Sequence, residues 1–337
     1  MKNHVLVLGF GIASTAYVSV LDFNKIKTSV IGSPFDIKKI KNIKKKNKIF
    51  NINFFKNINF SYDYELGSID IKSINLIIVG TNTNGIPWVT KVLNQIKKNC
   101  PILLITKGII KYKSKIIPIS KYISLKCSSN KVVMASGPCL AKELINKSHT
   151  RTLFASKKIA NAKYAKKIIE NEYYHPEVTK DIQGAEICSA IKNIYATVIG
   201  SSPRQVGNLS KNKDDNYFNT SSGLFEQSLK EMKYIVQKFG GNIDTTYGLA
   251  GAGDLYVSIL GGRNARLGFY LGKGLLYKSI VSKQMKNITV EGAELIKSSG
   301  AKILSLVGQK KLPLLKSLLK AIKKNKKLKI DWKQFTF

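Results

Sequence analysis

Acidic residues are scarce in this chain: 20 Asp and Glu stand against 56 Lys and Arg, a formal net charge of +36 over 337 residues. An imbalance of that size ordinarily points to nucleic acid or an anionic membrane surface. The excess, however, is mostly lysine spread through the chain among abundant Ile and Asn, whereas recognition surfaces concentrate arginine with interleaved aromatics. It is read as compositional drift, and no specific nucleic-acid partner is expected. One dense run, KKIKNIKKKNK at residues 38–48, is either a solvated face or an anion-attracting patch. Cysteine is sparse as well. Cys100, Cys127, Cys139 and Cys188 show no CxxC spacing and two lie in apolar stretches, so no disulfide framework and no metal site is expected, and a reducing, cytoplasmic compartment is. Long apolar runs are missing too. Residues 1–20 could pass for a signal peptide, but Gly9 and Gly11 interrupt the apolar stretch. Nothing reaches the roughly eighteen uninterrupted apolar residues of a membrane span, so a soluble chain without a transmembrane segment is expected.

What is present begins with HVLVLG at residues 4–9, a short apolar run ending in glycine, then Gly11 and a helix-compatible stretch. Strand, tight turn and helix in that order match the dinucleotide fingerprint GxGxxG, in which the first glycine turns the chain and the second lets backbone approach a pyrophosphate. Ser14 stands in the third glycine's place. A second strand at 27–31 should end on an acid that holds the ribose of NAD. Gly32, Ser33 and Pro34 stand there instead, with Asp36 late and Lys38 and Lys39 beyond. Ser33 with those lysines suits the 2′-phosphate of NADP, unless a longer turn has displaced Asp36. Apolar runs at 75–80, 102–106 and 132–136 read as further buried strands, closing on TNTNG, on Lys107-Gly108 and on Gly137-Pro138-Cys139. Four strands thus deliver polar or glycine-rich loops at their carboxyl ends, where an open parallel sheet binds its ligand.

A strand near 151–155 and a basic helix at about 159–171 follow, after which the alternation stops. From residue 181 the pattern is helical almost throughout. The expected architecture is an α/β chain: a Rossmann-like, doubly wound, mostly parallel sheet domain over residues 1–180, then an all-helical substrate and catalytic domain over 181–337. Residues 204–217 are polar and expected as a mobile surface loop. The helix at 181–200 is apolar on most sides. Basic residues fall about every sixth position elsewhere, yet between Lys180 and Arg204 the only one is Lys192. Such a lysine is either a snorkelling side chain or half of a buried ion pair, or it is a desolvated amine suited to proton transfer near neutral pH. Further on, GLAGAGDL at 248–255 sets glycines before Asp254, and Gly261-Gly262-Arg263-Asn264 can offer several donors to a phosphate at a helix start. Taken singly, Asp254 reads as a helix cap and Arg263 as a surface charge.

Laid side by side, GFGIASTA (9–16), ITKG (105–108), SGPCLAKE (136–143), GAEICSAIKN (184–193), YGLAGAGDL (247–255), GGRNARLG (261–268) and VEG (290–292) resemble, in family order, the bacterial NAD(P)-dependent glycerol-3-phosphate dehydrogenases. The resemblance implies roles. Lys192 would exchange a proton with the C2 oxygen of substrate, with Lys107 orienting it and Asp254 pairing with the lysines. Arg263 and Asn264 would take the substrate phosphate, with Gly137, Cys139 and Gly262 beside the substrate. The cofactor, NADP somewhat favoured over NAD, would lie against Gly9, Gly11, Ile12, Ala13, Ser14, Ser33, Lys107, Ala141, Arg263, Thr289 and Glu291. The resemblance also allows a homodimer. It departs from the family at Ser14, at Ile12-Ala13, at the TNTNG loop, at Cys139 and at Gly262, which bears on cofactor choice more than on reaction class.

The implied reaction is reversible hydride transfer between nicotinamide C4 and C2 of dihydroxyacetone phosphate or glycerol 3-phosphate, feeding phospholipid synthesis. Lys192→Ala is expected to spare folding while slowing turnover. Two other readings stand beside it. One is a hydroxyacid, 6-phosphogluconate or ketopantoate type dehydrogenase, against which GGRN after GLAGAGD favours a three-carbon phosphate. The other is a non-catalytic basic protein of nucleic acid or membrane surfaces.

Overall fold

The structure is a computed structural model and describes residues 3–46, 48–49, 52–53, 57–129, 131–202 and 218–335. The loop expected at 204–217 lies outside the described residues. The chain forms two compact units, Met1–Glu186 and Ile187–Phe337.

In the first unit the elements run β1 (His4–Leu8), α1 (Ile12–Phe23), β2 (Lys27–Ile31), α2 (Ile37–Lys46), the short pair β3 (Lys48–Ile49) and β4 (Ile52–Asn53), β5 (Ile58–Ser61), β6 (Leu76–Val79), α3 (Ile86–Ile96), β7 (Ile102–Leu104), β8 (Ile109–Tyr112), β9 (Lys115–Pro118), α4 (Ile119–Cys127), β10 (Val132–Ser136), α5 (Ala141–Ile145), β11 (Thr150–Ala155), α6 (Ile159–Ile169) and β12 (Tyr174–Thr179). Eight strands share one sheet in the order β12-β11-β10-β7-β6-β1-β2-β5. Every pairing in it is parallel except β10 with β11. Every residue of β1, β6 and β10 is buried, which is why these strands read as unbroken apolar runs. Strand order reverses between β1 and β6, so the glycines that follow them, Gly9 and Gly80, flank the switch point where such sheets bind ligands.

Several elements differ from the expectation. Alternation continues past residue 171 into β12, whose YHPEVT sequence carries a proline and alternating polar residues. That composition is tolerated because β12 lies at the sheet's edge, where a missing N–H breaks no ladder. An antiparallel hairpin, β8 with β9, follows Gly108. The lysine run from residue 37 is an amphipathic helix, with Ile40 and Ile43 buried and Lys38, Lys39, Lys41, Lys44 and Lys45 exposed. Its exposed lysines fit a solvated face and leave Lys38 and Lys39 open to an anion.

α7 (Ile182–Ile199) contains the division between the units. Its Ile187, Ile191, Ile194, Tyr195 and Val198 are wholly buried. Each such side chain contributes roughly 1.5–3 kcal/mol over its exposed state. The second unit continues with α8 (Phe218–Lys238), α9 (Asp254–Ile259), α10 (Arg263–Gly272), α11 (Tyr277–Ser279), α12 (Glu291–Leu295), α13 (Ala301–Val307) and α14 (Pro313–Lys323), with π-helical turns at Leu249–Gly253, Ile280–Gln284 and Ile296–Gly300. Glycine here serves close packing. A Cβ at Gly268 on α10 would lie 2.0 Å from the Thr197 carbonyl oxygen of α7, and one at Gly251 would lie 1.9 Å from that of Thr246.

Each unit also buries a glutamate that caps a helix start. Glu186 accepts from the Ser120 amide at 2.9 Å and from the Ser120 hydroxyl, where α4 has no side-chain cap of its own. Glu231 on α8 accepts from the amides of Leu314 (2.6 Å) and Leu315 (3.0 Å) at the start of α14, and from the Tyr195 hydroxyl (3.1 Å). Burial pushes the Glu186 carboxyl up to about 7 and that of Glu231 up to about 8, against the opposing pull of those donors.

No helix among the described residues is long and apolar enough to cross a membrane, and all four cysteines are free.

Candidate active site

In the sheet unit the glycine turn comes first. Gly9 sits at φ +88, a region that costs any other residue strain, and its amide donates to the Ile31 carbonyl at 2.8 Å. A Cβ there would lie 2.5 Å from the Thr81 side chain. Gly11 caps α1 without a side-chain bond, no acid occupies the first turn, and Ile12 (61%) and Ala13 are exposed. The first amides of α1 therefore suit an anion. Ser14, in the third glycine's place, is buried and donates to the Gly80 carbonyl at 2.9 Å. The substitution is matched across the sheet, since a Cβ at residue 80 would lie 2.0 Å from the Ser14 hydroxyl.

The turn after β2 resolves where the acid went. One Asp36 carboxylate oxygen accepts from the amides of Phe10 and Ser33 and from the Ser33 hydroxyl (2.6 Å), while the other pairs with Lys39 at 2.9 Å. Burial alone would raise that carboxyl, but the Ser33 and Lys39 bonds and the Phe10 amide hold it below the usual range. Asp36 is thus a buried structural cap, and the Ser33 hydroxyl hydrogen, expected on the cofactor, is spent on it. Lys38 and Lys39 remain at the exposed turn.

At the carboxyl ends of β7 and β10, Lys107 donates to the Gly137 carbonyl at 3.2 Å, and Thr106 to that of Thr81 at 2.8 Å. A cavity of about 70 Å³ there is lined by Ala13, Lys107, Gly137, Cys139 and Ala141, all expected site residues, with Tyr17 and Thr152, which sequence reasoning missed. Tyr17 bonds the Tyr174 hydroxyl at 2.7 Å, and burial holds both phenols neutral. Their only sequence signal is aromatic character.

In the helical unit, Lys192 on α7 is 7% exposed and forms an ion pair with Asp254, which is 2% exposed at the head of α9. Asn193, next in sequence and likewise missed, donates to Glu291 at 2.8 Å. The other Glu291 oxygen accepts from Arg263 at 3.2 Å, and Asn264 accepts from the Gly292 amide at 2.9 Å. A Cβ at Gly292 would lie 2.4 Å from the Asn193 carbonyl oxygen, so α12 presses on α7. Four helices thus gather Lys192, Asn193, Asp254, Arg263, Asn264 and Glu291, residues up to 99 positions apart in number. Asn193 did carry a signal: a second polar residue beside Lys192 in an otherwise apolar helix. Arg263 and Glu291 remain half-exposed, so their pair can open to a ligand at little cost. Gly262 and Thr289 are exposed and make no bond that singles them out. α10 starts without a side-chain cap and without an acid in its first turn.

Two family models fit the chain: the NAD-dependent glycerol-3-phosphate dehydrogenase N-terminus over residues 4–162 and its C-terminus over residues 181–331. The chain belongs to that family. Among relatives of this dehydrogenase family, it is 32% identical over 208 residues to an NADP(+)-dependent glycerol-3-phosphate dehydrogenase of Archaeoglobus fulgidus, 61% of each chain. It is 34% identical to a glycerol-3-phosphate dehydrogenase [NAD(P)+] of Francisella philomiragia over 49% of this chain and 47% of that protein. The match thus spans between about half and three fifths of these relatives' length. Among solved structures, the glycerol-3-phosphate dehydrogenase of Coxiella burnetii superposes with a TM-score of 0.80 at 23% identity, covering 97% of this chain and 96% of that one. That of Plasmodium falciparum gives 0.85 at 19%, covering 100% and 96%. At such identities the two structures speak for the fold of the family.

Proposed function

We propose that the chain is an NAD(P)-dependent dehydrogenase acting on dihydroxyacetone phosphate and sn-glycerol 3-phosphate, with residues 1–180 binding the dinucleotide and 181–337 carrying substrate and proton. The observation that carries this reading is the buried Lys192–Asp254 pair on the same helical unit as Arg263 and Asn264. A proton donor within a cluster of phosphate-seeking groups is what reduction of a phosphorylated ketone requires.

The residues fit the cofactor: the Gly9 turn and the uncapped start of α1 supply a pyrophosphate cradle, with Lys107 and Gly137 at the strand ends beside it. The chemistry a bound nicotinamide would supply is hydride exchange with C2. As C2 is reduced, its oxygen gains charge; the Lys192 ammonium donates its proton to that oxygen, and Asp254 holds the amine in place. Arg263 and Asn264 take the phosphate, with Glu291 yielding part of its hold on Arg263. Lys107 orients the substrate from the loop after β7. The product would supply phospholipid synthesis in a reducing cytoplasm, which the four free cysteines suit. A homodimer is the assembly to test, by sedimentation.

NADP is favoured over NAD because the Asp36 carboxylate is buried and fully bonded, so no acid is offered to a ribose hydroxyl, while Lys38 and Lys39 stand at the same turn. The decisive assay compares NADPH and NADH oxidation with dihydroxyacetone phosphate and with a panel of other 2-keto compounds. Dihydroxyacetone phosphate with NADPH should be fastest, and Lys38→Gln/Lys39→Gln should narrow the preference for NADPH about tenfold. Turnover of another 2-keto compound but not of dihydroxyacetone phosphate would overturn the assignment.

A further inference from the structure

At the amino-terminal edge of the sheet, away from the glycine turn, the chain entering β6, β7 and β10 lines an open cavity of about 700 Å³, within the size range of small-ligand sites. A second cavity of about 580 Å³ adjoins it, sharing Lys98, Asn99 and Lys131. Among the described residues, every charged side chain lining either one is a lysine. Lys98 donates to the Lys72 carbonyl at 2.5 Å and Lys131 to that of Asn99 at 3.3 Å, so both ammonium groups are fixed at the rim by backbone. No carboxylate lies within ion-pair distance of either among the described residues.

Both lysines line the cavity with Cys100, whose thiol burial pushes up to about 11 against their opposing charge. That thiol therefore stays uncharged at neutral pH and offers the lysines no counter-charge. The floor differs in character. Ile74, Pro101 and the half-exposed ring of Tyr164 supply apolar and aromatic surface. Asn161, one helical turn before Tyr164 on α6, also lines the cavity, and its side-chain amide nitrogen is buried without a partner. An unmet donor of this kind costs roughly 1–3 kcal/mol, and rotation about the last side-chain bond can turn it toward an acceptor in the cavity.

We propose that this cavity binds a free nucleoside phosphate, with the phosphates between Lys98 and Lys131 and the base against Tyr164. Charge alone would suit any anion. The aromatic wall and the amide donor beside it select one that carries a ring with acceptors.

The test is photolabelling with 8-azido-ADP, the labelled peptide being located by mass spectrometry. Label is expected on the α6 peptide that carries Tyr164. It should fall about tenfold or more in Lys98→Gln/Lys131→Gln, return in Lys98→Arg/Lys131→Arg, and persist in Lys38→Gln/Lys39→Gln at the other edge of the sheet. Unlabelled ADP should compete better than pyrophosphate, and pyrophosphate better than adenosine. Label confined to peptides around Gly9 or Ser33, or label on α6 indifferent to Lys98 and Lys131, overturns the proposal. So does a single-stranded oligonucleotide that competes far below the concentration of ADP, which would make the edge a nucleic-acid surface.

Discussion

The two units differ in what their candidate-site charges are tied to. In the sheet unit Lys107 holds the Gly137 carbonyl, and Lys39 bridges the Phe10 carbonyl and Asp36, a carboxylate whose other oxygen is spent on capping the turn. In the helical unit each cation meets a carboxylate, Lys192 with Asp254 and Arg263 with Glu291. Recognition of a dinucleotide by turn geometry and helix amides is backbone chemistry, so side chains there can drift while the shape persists. Ser14, accommodated by Gly80, is an instance. The proposed proton transfer and phosphate capture would need particular side chains, and Lys192 and Arg263 are each held against a carboxylate.

Substitution sharpens the contrast. The largest effect is expected at Lys192. The ion pair changes what is expected of Lys192→Ala, because that variant removes the cation beside a buried carboxylate and should lower stability by about 3–5 kcal/mol. Lys192→Gln keeps a donor toward Asp254 and should lose turnover by about a hundredfold while NADPH affinity and Tm stay close to wild type. An unchanged rate would remove Lys192 from the mechanism. Arg263→Ala comes next: KM for dihydroxyacetone phosphate should rise about tenfold with Tm unmoved, since its pair is half-exposed. A fall in Tm without a change in KM would make that pair structural.

In the sheet unit the expected losses are of stability. Gly80→Ala drives a Cβ into the Ser14 hydroxyl and should cost about 1–3 kcal/mol by urea unfolding. In a Ser14→Gly background most of that cost should vanish, and additive losses would show that the two positions are not matched. The smallest effect is on pH dependence. Glu186 and Glu231 bind a proton more tightly folded than unfolded, their carboxyls standing at about 7 and about 8 against 4.5. Their contribution to stability is therefore fully present below pH 4.5 and is lost as pH rises toward 8, with a slope of roughly 1.4 kcal/mol per pH unit for each at most. Glu231→Gln should flatten the upper part of that slope in a Tm profile; a profile parallel to wild type would mean that Glu231 is ionised throughout.

Local sequence settled whatever repeats along the chain. The core strands β1, β6 and β10 were legible because burial on both faces demands continuous apolar residues, and α7 because its apolar surface leaves Lys192 conspicuous. The glycine turn at Gly9 was legible because few residues tolerate its backbone angle. What folding alone decided lies between distant residues: the antiparallel entry of β11, the edge position that lets YHPEVT be a strand, and Asp36 turned inward as a cap. The partnership of Lys192 with Asp254 and the capping of α14 by Glu231 belong there too. Periodicity reports which face of an element is buried, but a pairing across 62 or 83 residues depends on which surfaces meet, and that is fixed only when the helices pack.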